Sequence, residues 1–278
     1  MKTFGAFDEA SMKAFEPEAK VGLLATVNPE GLPHITLITA MQAKTPRQIM
    51  WGQFTEGLSK VHVRKNPKTS FLILTMDRKL WRGKAVWTHA RKEGEDYVLF
   101  NTKPMFRYNA YLGIHTVHYM DLVETTIREG LPLGAIIVAS LFTKAIKGLA
   151  RTRRGRILKP WAEGMFNRID ALKFIGYVGQ DGFPVIVPVL QCQAADSTRL
   201  AFAPLAYAGE IGAIPEGVPA AVFGLTVQME DCLVRGRYRR HLSVLPLRCV
   251  DIEWVYNPMP PTQGQIYPEV ALRPVENF

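Results

Sequence analysis

Two short signatures occur twice in this chain, in the same order and at nearly the same spacing. Gly31-Leu-Pro33 returns as Gly182-Phe-Pro184, 151 residues later, and Leu80-Trp-Arg-Gly-Lys84 returns as Leu233-Val-Arg-Gly-Arg237, 153 residues later. The strand patterns between them also agree. One such match is easily accidental, whereas two at almost one offset imply a small β unit used in tandem. Length concurs, since 278 residues correspond to about two domains.

Within the first unit, residues 8–19 read as a short amphipathic helix. The β-rich run 21–27, the turn residues Asn28-Pro-Glu-Gly31 and a second strand over 34–41 make a hairpin signature. A further strand starts at Gln48. Residues 69–75 read as a buried strand, 80–88 and 97–101 as a hairpin around Lys92-Glu-Gly-Glu95, and 116–125 as the last strand. Six or so short strands with one small helix imply a small closed barrel. Residues 131–170 differ: 133–150 has helical composition, and a second helix is predicted over 160–173. The expected organisation is a barrel over 1–130, a helical, basic connecting segment over 131–170, and a second barrel over 171–278.

The helix inside the first unit falls between Thr55 and Pro67. Thr55 is placed to cap it, because a hydroxyl there accepts a free backbone N–H. Asn66-Pro67 stops it. Ser59 and Lys60 then lie in the first turn, and Lys60 and Arg64 share a face. A cation at that end opposes the helix dipole unless an anion rests on the same amides. The stretch reads either as a phosphate site or as a surface helix with solvated lysines. The corresponding segment of the second unit, 206–218, holds no lysine, arginine or serine and two glutamates. That copy is degenerate as an anion site.

Net charge is +9, but seven basic residues and no acid fall between 144 and 159. The basic character belongs to one segment, so nucleic-acid binding is not expected from the whole-chain charge. The segment reads as a solvated linker or helix face, or as a contact for an acidic partner, nucleic acid or anionic lipid. Three cysteines without a CxxC pair argue against a disulfide framework and for a reducing, cytoplasmic setting. The N-terminal stretch lacks the apolar core of a signal peptide. The longest strongly apolar run, 133–142, is expected to be too short for a transmembrane segment.

Four features now stand in order: Ala25-Thr-Val-Asn-Pro-Glu-Gly-Leu-Pro33, then Thr55 with Ser59-Lys60, then Asn66-Pro67, then Arg82-Gly83-Lys84. Over about residues 18–124 this set resembles the flavin-binding split barrels related to pyridoxamine 5′-phosphate oxidase. The resemblance implies a mainly β protein of two tandem split β-barrels, the second degenerate, joined by a helical segment. It also implies FMN as cofactor, held where two barrels meet, either across a homodimer or within an intrachain pseudo-dimer. Carried over, Thr55, Ser59 and Lys60 would hold the FMN phosphate. The stretch Thr36, Leu37, Ile38 and Thr39 would run under the isoalloxazine ring, with Gln53 and Phe54 beside it. Arg78 stands near a position where the oxidases carry glutamine, and their C-terminal substrate signature is missing. The activity implied by the resemblance is that of a flavin-dependent oxidoreductase acting on a small-molecule substrate, with a nicotinamide as electron donor. A non-catalytic flavin sensor and a haem-binding split barrel are the alternatives.

His115 and His118 are three apart. On a strand they point to opposite faces, so no metal site is expected. Trp51, Trp81 and Trp87 are expected to serve barrel packing in at least two cases. No GxGxxG, P-loop or GxSxG motif is present.

Overall fold

The computed structural model describes residues 2–103, 113–152, 155–242, 246–258 and 263–270. Arg153 and Arg154 of the basic segment lie outside the described residues. The chain divides into two compact units, Met1–Leu131 with Val178–Ile186, and Pro132–Tyr177 with Val187–Phe278.

The first unit opens with β1 (Thr3–Phe4) and α1 (Glu9–Ala14), followed by β2 (Lys20–Val27), β3 (Pro33–Leu37), β4 (Met41–Thr45) and β5 (Gln48–Gln53). Helix α2 (Leu58–Lys65) leads into β6 (Lys68–Thr75) and β7 (Lys79–Arg91). Helix α3 (Glu95–Thr102), β8 (Thr116–Thr126) and β9 (Glu129–Gly130) complete it. The sheet runs β3-β2-β6-β7-β8-β5-β4, with β1 on β8 and β9 on β7.

The second half begins with α4 (Leu133–Ile146), a 3₁₀ turn (Lys147–Ala150) and α5 (Pro160–Asn167). Then come β10 (Leu172–Val178), β11 (Pro184–Pro188), β12 (Gln193–Asp196), β13 (Arg199–Phe202), α6 (Ala208–Ala213) and β14 (Pro219–Leu225). Last are β15 (Asp231–Leu242), β16 (Pro246–Asn257) and β17 (Gly264–Tyr267). Its sheet runs β11-β10-β14-β15-β16-β13-β12, with β17 on β16. Strand for strand, this is the order of the first sheet.

The agreement reaches single backbone groups. Gly31 and Gly182 close the first hairpin of each sheet at φ 75° and 77°, where a side chain would be strained. Each donates its N–H three residues back, to Asn28 O (3.0 Å) and Gly179 O (2.9 Å). Arg78 and Met229 hold φ 64° and 66° in the equivalent turns β6–β7 and β14–β15. Gly83 and Gly236 lie close to a register shift in the longest strand pair of each sheet, between Lys84 and Ala85 in the first and between Arg235 and Gly236 in the second. An added Cβ there would lie 2.0 Å from Glu124 O and 1.7 Å from Asp251 O.

The core of the first unit gathers Phe15, Leu24, Trp51, Phe71, Ile73, Trp81 and Met120. Trp81 donates to Ser11 Oγ at 2.9 Å and meets Phe15 edge-on. Trp51 and Trp81 are thus packing residues. Phe174, Phe202, Phe223 and Tyr238 are fully buried in the second unit. The three cysteines are free and buried.

Four expectations are corrected. The helix expected over 160–173 ends at Asn167, and Leu172 already begins β10. Residues 97–101 are helical, not a strand. Acidic Glu95 and Asp96 occupy the first turn of α3, where they suit the dipole. Asn101 ties its end to Ile114 N and O. The strand expected over 34–41 stops at Leu37; Ile38 gives a last bond, in register with that pairing, to Gly22 O at 2.7 Å, and β4 starts afresh at Met41. The helix at 133–150 exists, as α4 with its 3₁₀ extension. Counting its apolar residues only to Phe142 understated it, for Lys144 and Lys147 are the only charges up to Ala150. Leu133–Ala150 is long and apolar enough to cross a membrane by length and composition, with mean hydropathy 1.6 over 18 residues.

Candidate functional site

Helix α2 ends as expected, at Asn66, whose N–H closes on His62 O at 2.8 Å before Pro67. Its start corrects the expectation that Thr55 caps it. The N-cap is Gly57, with no side-chain cap. The Lys60 N–H folds back onto Gly57 O at 3.1 Å. Among the described residues, the amides of Leu58 and Ser59 have no partner, which is the ordinary state of an uncapped first turn. Ser59, Lys60, His62 and Val63 turn inward. Two side-chain hydrogen bonds fasten the helix to the β2–β3 hairpin: Thr26 Oγ1 with His62 Nδ1 at 3.0 Å, and Ser59 Oγ to Thr36 Oγ1 at 3.1 Å.

Lys60 is 6% exposed. Its ammonium lies 3.4 Å from where a Cβ on Gly57 would stand and makes no hydrogen bond or ion pair among the described residues. Burial pulls its pKa down to about 8, against a smaller upward pull from Glu56. A buried lysine with no ion-pair partner is costly. An anion at this point would lower that cost.

Beside Lys60 runs a chain of hydrogen bonds whose direction is fixed. An indole nitrogen only donates, so Trp87 Nε1 gives its proton to His118 Nδ1 at 3.1 Å. The other ring nitrogen, Nε2, then carries the hydrogen and donates to Gln53 Oε1 at 2.8 Å. That sets the amide, whose Nε2 donates to Glu56 Oε1 at 3.0 Å. His118 lies flat on Trp51, 3.9 Å between ring centres. Its pKa is pushed down to about 3 by burial, then by the charges of Lys60 and Arg64. It is therefore neutral, with one tautomer. With both nitrogens engaged it is not free to bind a haem iron or another metal.

The structure thus brings together Thr36, Gln53, Ser59 and Lys60. Leu37, Ile38 and Thr39 follow Thr36 along the end of β3 and the turn after it. Phe54 and Thr55 sit half-buried between β5 and α2. Arg78 stands apart. It is exposed in the β6–β7 turn, and the eight residues of β6, about 3.3 Å each, separate it from the end of α2. The positive φ it shares with Met229 gives that position a turn role in both sheets. Sequence reasoning considered His118 only as a metal ligand and Trp87 only for packing or stacking, since their partners are brought to them by strand pairing, and it missed Glu56, which Gln53 reaches three residues along the chain.

No family model matches the chain, and no curated protein does. Solved structures are similar to it over less than half its length. Each unit is a split barrel. A candidate pyridoxamine 5′-phosphate oxidase of Lactobacillus delbrueckii is 15% identical, covering 46% of this chain and 100% of its own, with a TM-score of 0.36. An FMN-binding protein of Syntrophomonas wolfei is 13% identical, covering 42% and 83%, with a TM-score of 0.36. HupZ of Group A Streptococcus is 14% identical, covering 45% and 96%, with a TM-score of 0.37. For the split barrels of this chain, the strand order and the paired glycines carry the assignment.

Proposed function

We propose that the first split barrel binds FMN by its phosphate at the start of α2 and uses the flavin for oxidation–reduction of a small molecule. The observation that carries this reading is Lys60: buried, without an ion-pair partner among the described residues, and beside two unused helix amides. A phosphate there would accept charge-assisted hydrogen bonds from the ammonium and further bonds from the amides of Leu58 and Ser59. The Thr36 hydroxyl, which accepts from Ser59, keeps its own hydrogen to donate. Glu56 adds an opposing charge, but its carboxylate is exposed and engaged by Gln53. The bound flavin would supply the redox chemistry. The part of the protein is to hold the phosphate, to present the Gln53 amide in one orientation, and to exclude water with the Trp51–His118 stack.

The second split barrel offers no equivalent. Its α6 has six residues, Glu210 in its first turn and no lysine. One phosphate site per chain is therefore expected.

FMN titration of the full chain tests the reading, with riboflavin as the ligand lacking the phosphate. Lys60→Glu is expected to weaken FMN at least tenfold, ~1.4 kcal/mol, while riboflavin changes little. Equal losses for both ligands would place the phosphate elsewhere. The affinity should also depend on pH in a definite sense. Binding favours the charged lysine, so FMN affinity is not limited by Lys60 at about pH 7 and declines by at least ~tenfold between pH 7.5 and 9.5 as free Lys60 deprotonates. Absorbance near ~450 nm in the purified protein, a property of flavins, and turnover with NADH or NADPH would then separate an enzyme from a flavin sensor.

A further inference from the structure

One side of α4 is built into its own unit. Ile136, Ala139, Ser140, Thr143 and Ile146 are buried at helical spacing. Gln193 Nε2 donates to Ser140 O at 2.9 Å, and the Ala203 N–H donates to Thr143 Oγ1 at 2.9 Å. The other side is apolar and open. Ile137, Val138 and Leu141 are each more than half exposed, and Leu133 is 37% exposed. Lys144 is the first charge on that side, and Leu149 follows it.

The segment that carries α4 is basic in sequence. Between residues 131 and 170 there are eight lysines and arginines and two acids, Glu163 and Asp170. Each acid has a local partner: Arg156 at 2.8 Å and Arg168 at 2.7 Å. Lys159 also pairs with Glu269 at 3.8 Å, which leaves a net excess of positive charge; an apolar helix face running into it suits a medium that is oily inside and anionic outside.

We propose that this face of α4 lies in the surface of an anionic lipid bilayer, with Leu133, Ile137, Val138 and Leu141 at the acyl boundary and Lys144 at the headgroups. The alternatives fit less well. A second copy of the chain would set like charges against each other beside the same face. Nucleic acid would leave the apolar residues in water. A spanning helix would have to surrender the bonds from Gln193 and Ala203, whereas a helix lying flat keeps them.

Sedimentation of the full chain with vesicles tests the assignment. Phosphatidylcholine vesicles containing about 30% phosphatidylglycerol should carry the protein down, and pure phosphatidylcholine vesicles should not. Raising the salt to about 0.5 M should release most of it. The exposed-face variant Ile137→Glu/Leu141→Glu should partition at least tenfold more weakly while keeping the wild-type circular dichroism. If that variant does not fold, Lys144→Glu should lower binding several-fold. Equal recovery with neutral and anionic vesicles, no recovery at all, or a variant that binds as wild type overturns the proposal. So does size-exclusion evidence that the double variant dissolves a dimer without altering vesicle binding.

Discussion

Gly236→Ala is expected to destabilise the second barrel by about 3 kcal/mol or more, enough that little of the unit should be recovered folded. At this position β15 and β16 shift register between Arg235 and Gly236. The backbone of β16 crosses where a side chain would begin. A methyl group would sit 1.7 Å from Asp251 O, 2.6 Å from its carbonyl carbon and 3.0 Å from the Ile252 Cα. All three are main-chain atoms, so no rotamer change relieves the overlap. The strands must part, and β15–β16 is the longest pairing of the sheet. Gly134→Ala is the control. Gly134 lies in the first turn of α4 with open space around it, and alanine there should be neutral or stabilising by up to ~1 kcal/mol. Urea unfolding followed by circular dichroism decides the matter. Because the chain holds two units, the comparison rests on the shift of one transition and not on a single two-state fit. Equal midpoints for the two variants would show that the strands do not approach as described.

Asp231→Asn should act on the same barrel in the opposite direction, and only at neutral and higher pH. Asp231 begins β15, is 5% exposed, and leaves Oδ1 without a hydrogen bond among the described residues. Burial lifts its pKa from 3.8 to about 7. The folded state therefore holds this proton more tightly than the unfolded chain does. The stabilisation is complete below about pH 4 and is lost as pH rises to about 7. The span of about three units corresponds to ~4 kcal/mol at most. Asparagine keeps the shape and never ionises, though its amide also needs partners in that site, so a gain of ~1–3 kcal/mol is expected at pH 8. At pH 4 the variant should gain nothing. Other carboxylates titrate over the same range, so the informative quantity is the difference between wild type and variant at each pH. A difference that does not change between pH 4.5 and 8 would mean that Asp231 is ionised and accommodated in the fold.

The architecture was legible where local chemistry is unambiguous. Gly31 and Gly182 close hairpins because only glycine tolerates that backbone cheaply. The two Arg-Gly dipeptides mark the same close strand approach in both sheets. Proline after Asn66 stopped α2 where expected. What misled was composition taken for conformation. Tyr97 to Phe100 is a strand-like run, yet the acids before it and the clasp of Asn101 on Ile114 make it a helix. Thr55 looked like a cap, but the chain passes two residues further, to Gly57, before α2 begins. Near the candidate site, spacing alone placed Ser59 and Lys60 in the first turn of α2. It could not place His118, since its partners Trp87 and Gln53 are 31 and 65 residues away in sequence. Only the pairing of β5 and β7 with β8 brings them to it.

The one-way run of donors from Trp87 to Glu56 also bears on whatever ring comes to rest beside it. None of its first three members can be turned around without stranding a hydrogen or a lone pair, and the imidazole does not charge at any ordinary pH. A guest there would meet the same polarity in mildly acidic as in alkaline buffer. Any colour change seen on titration would then have to originate in the guest, or in the lysine that grips its tail.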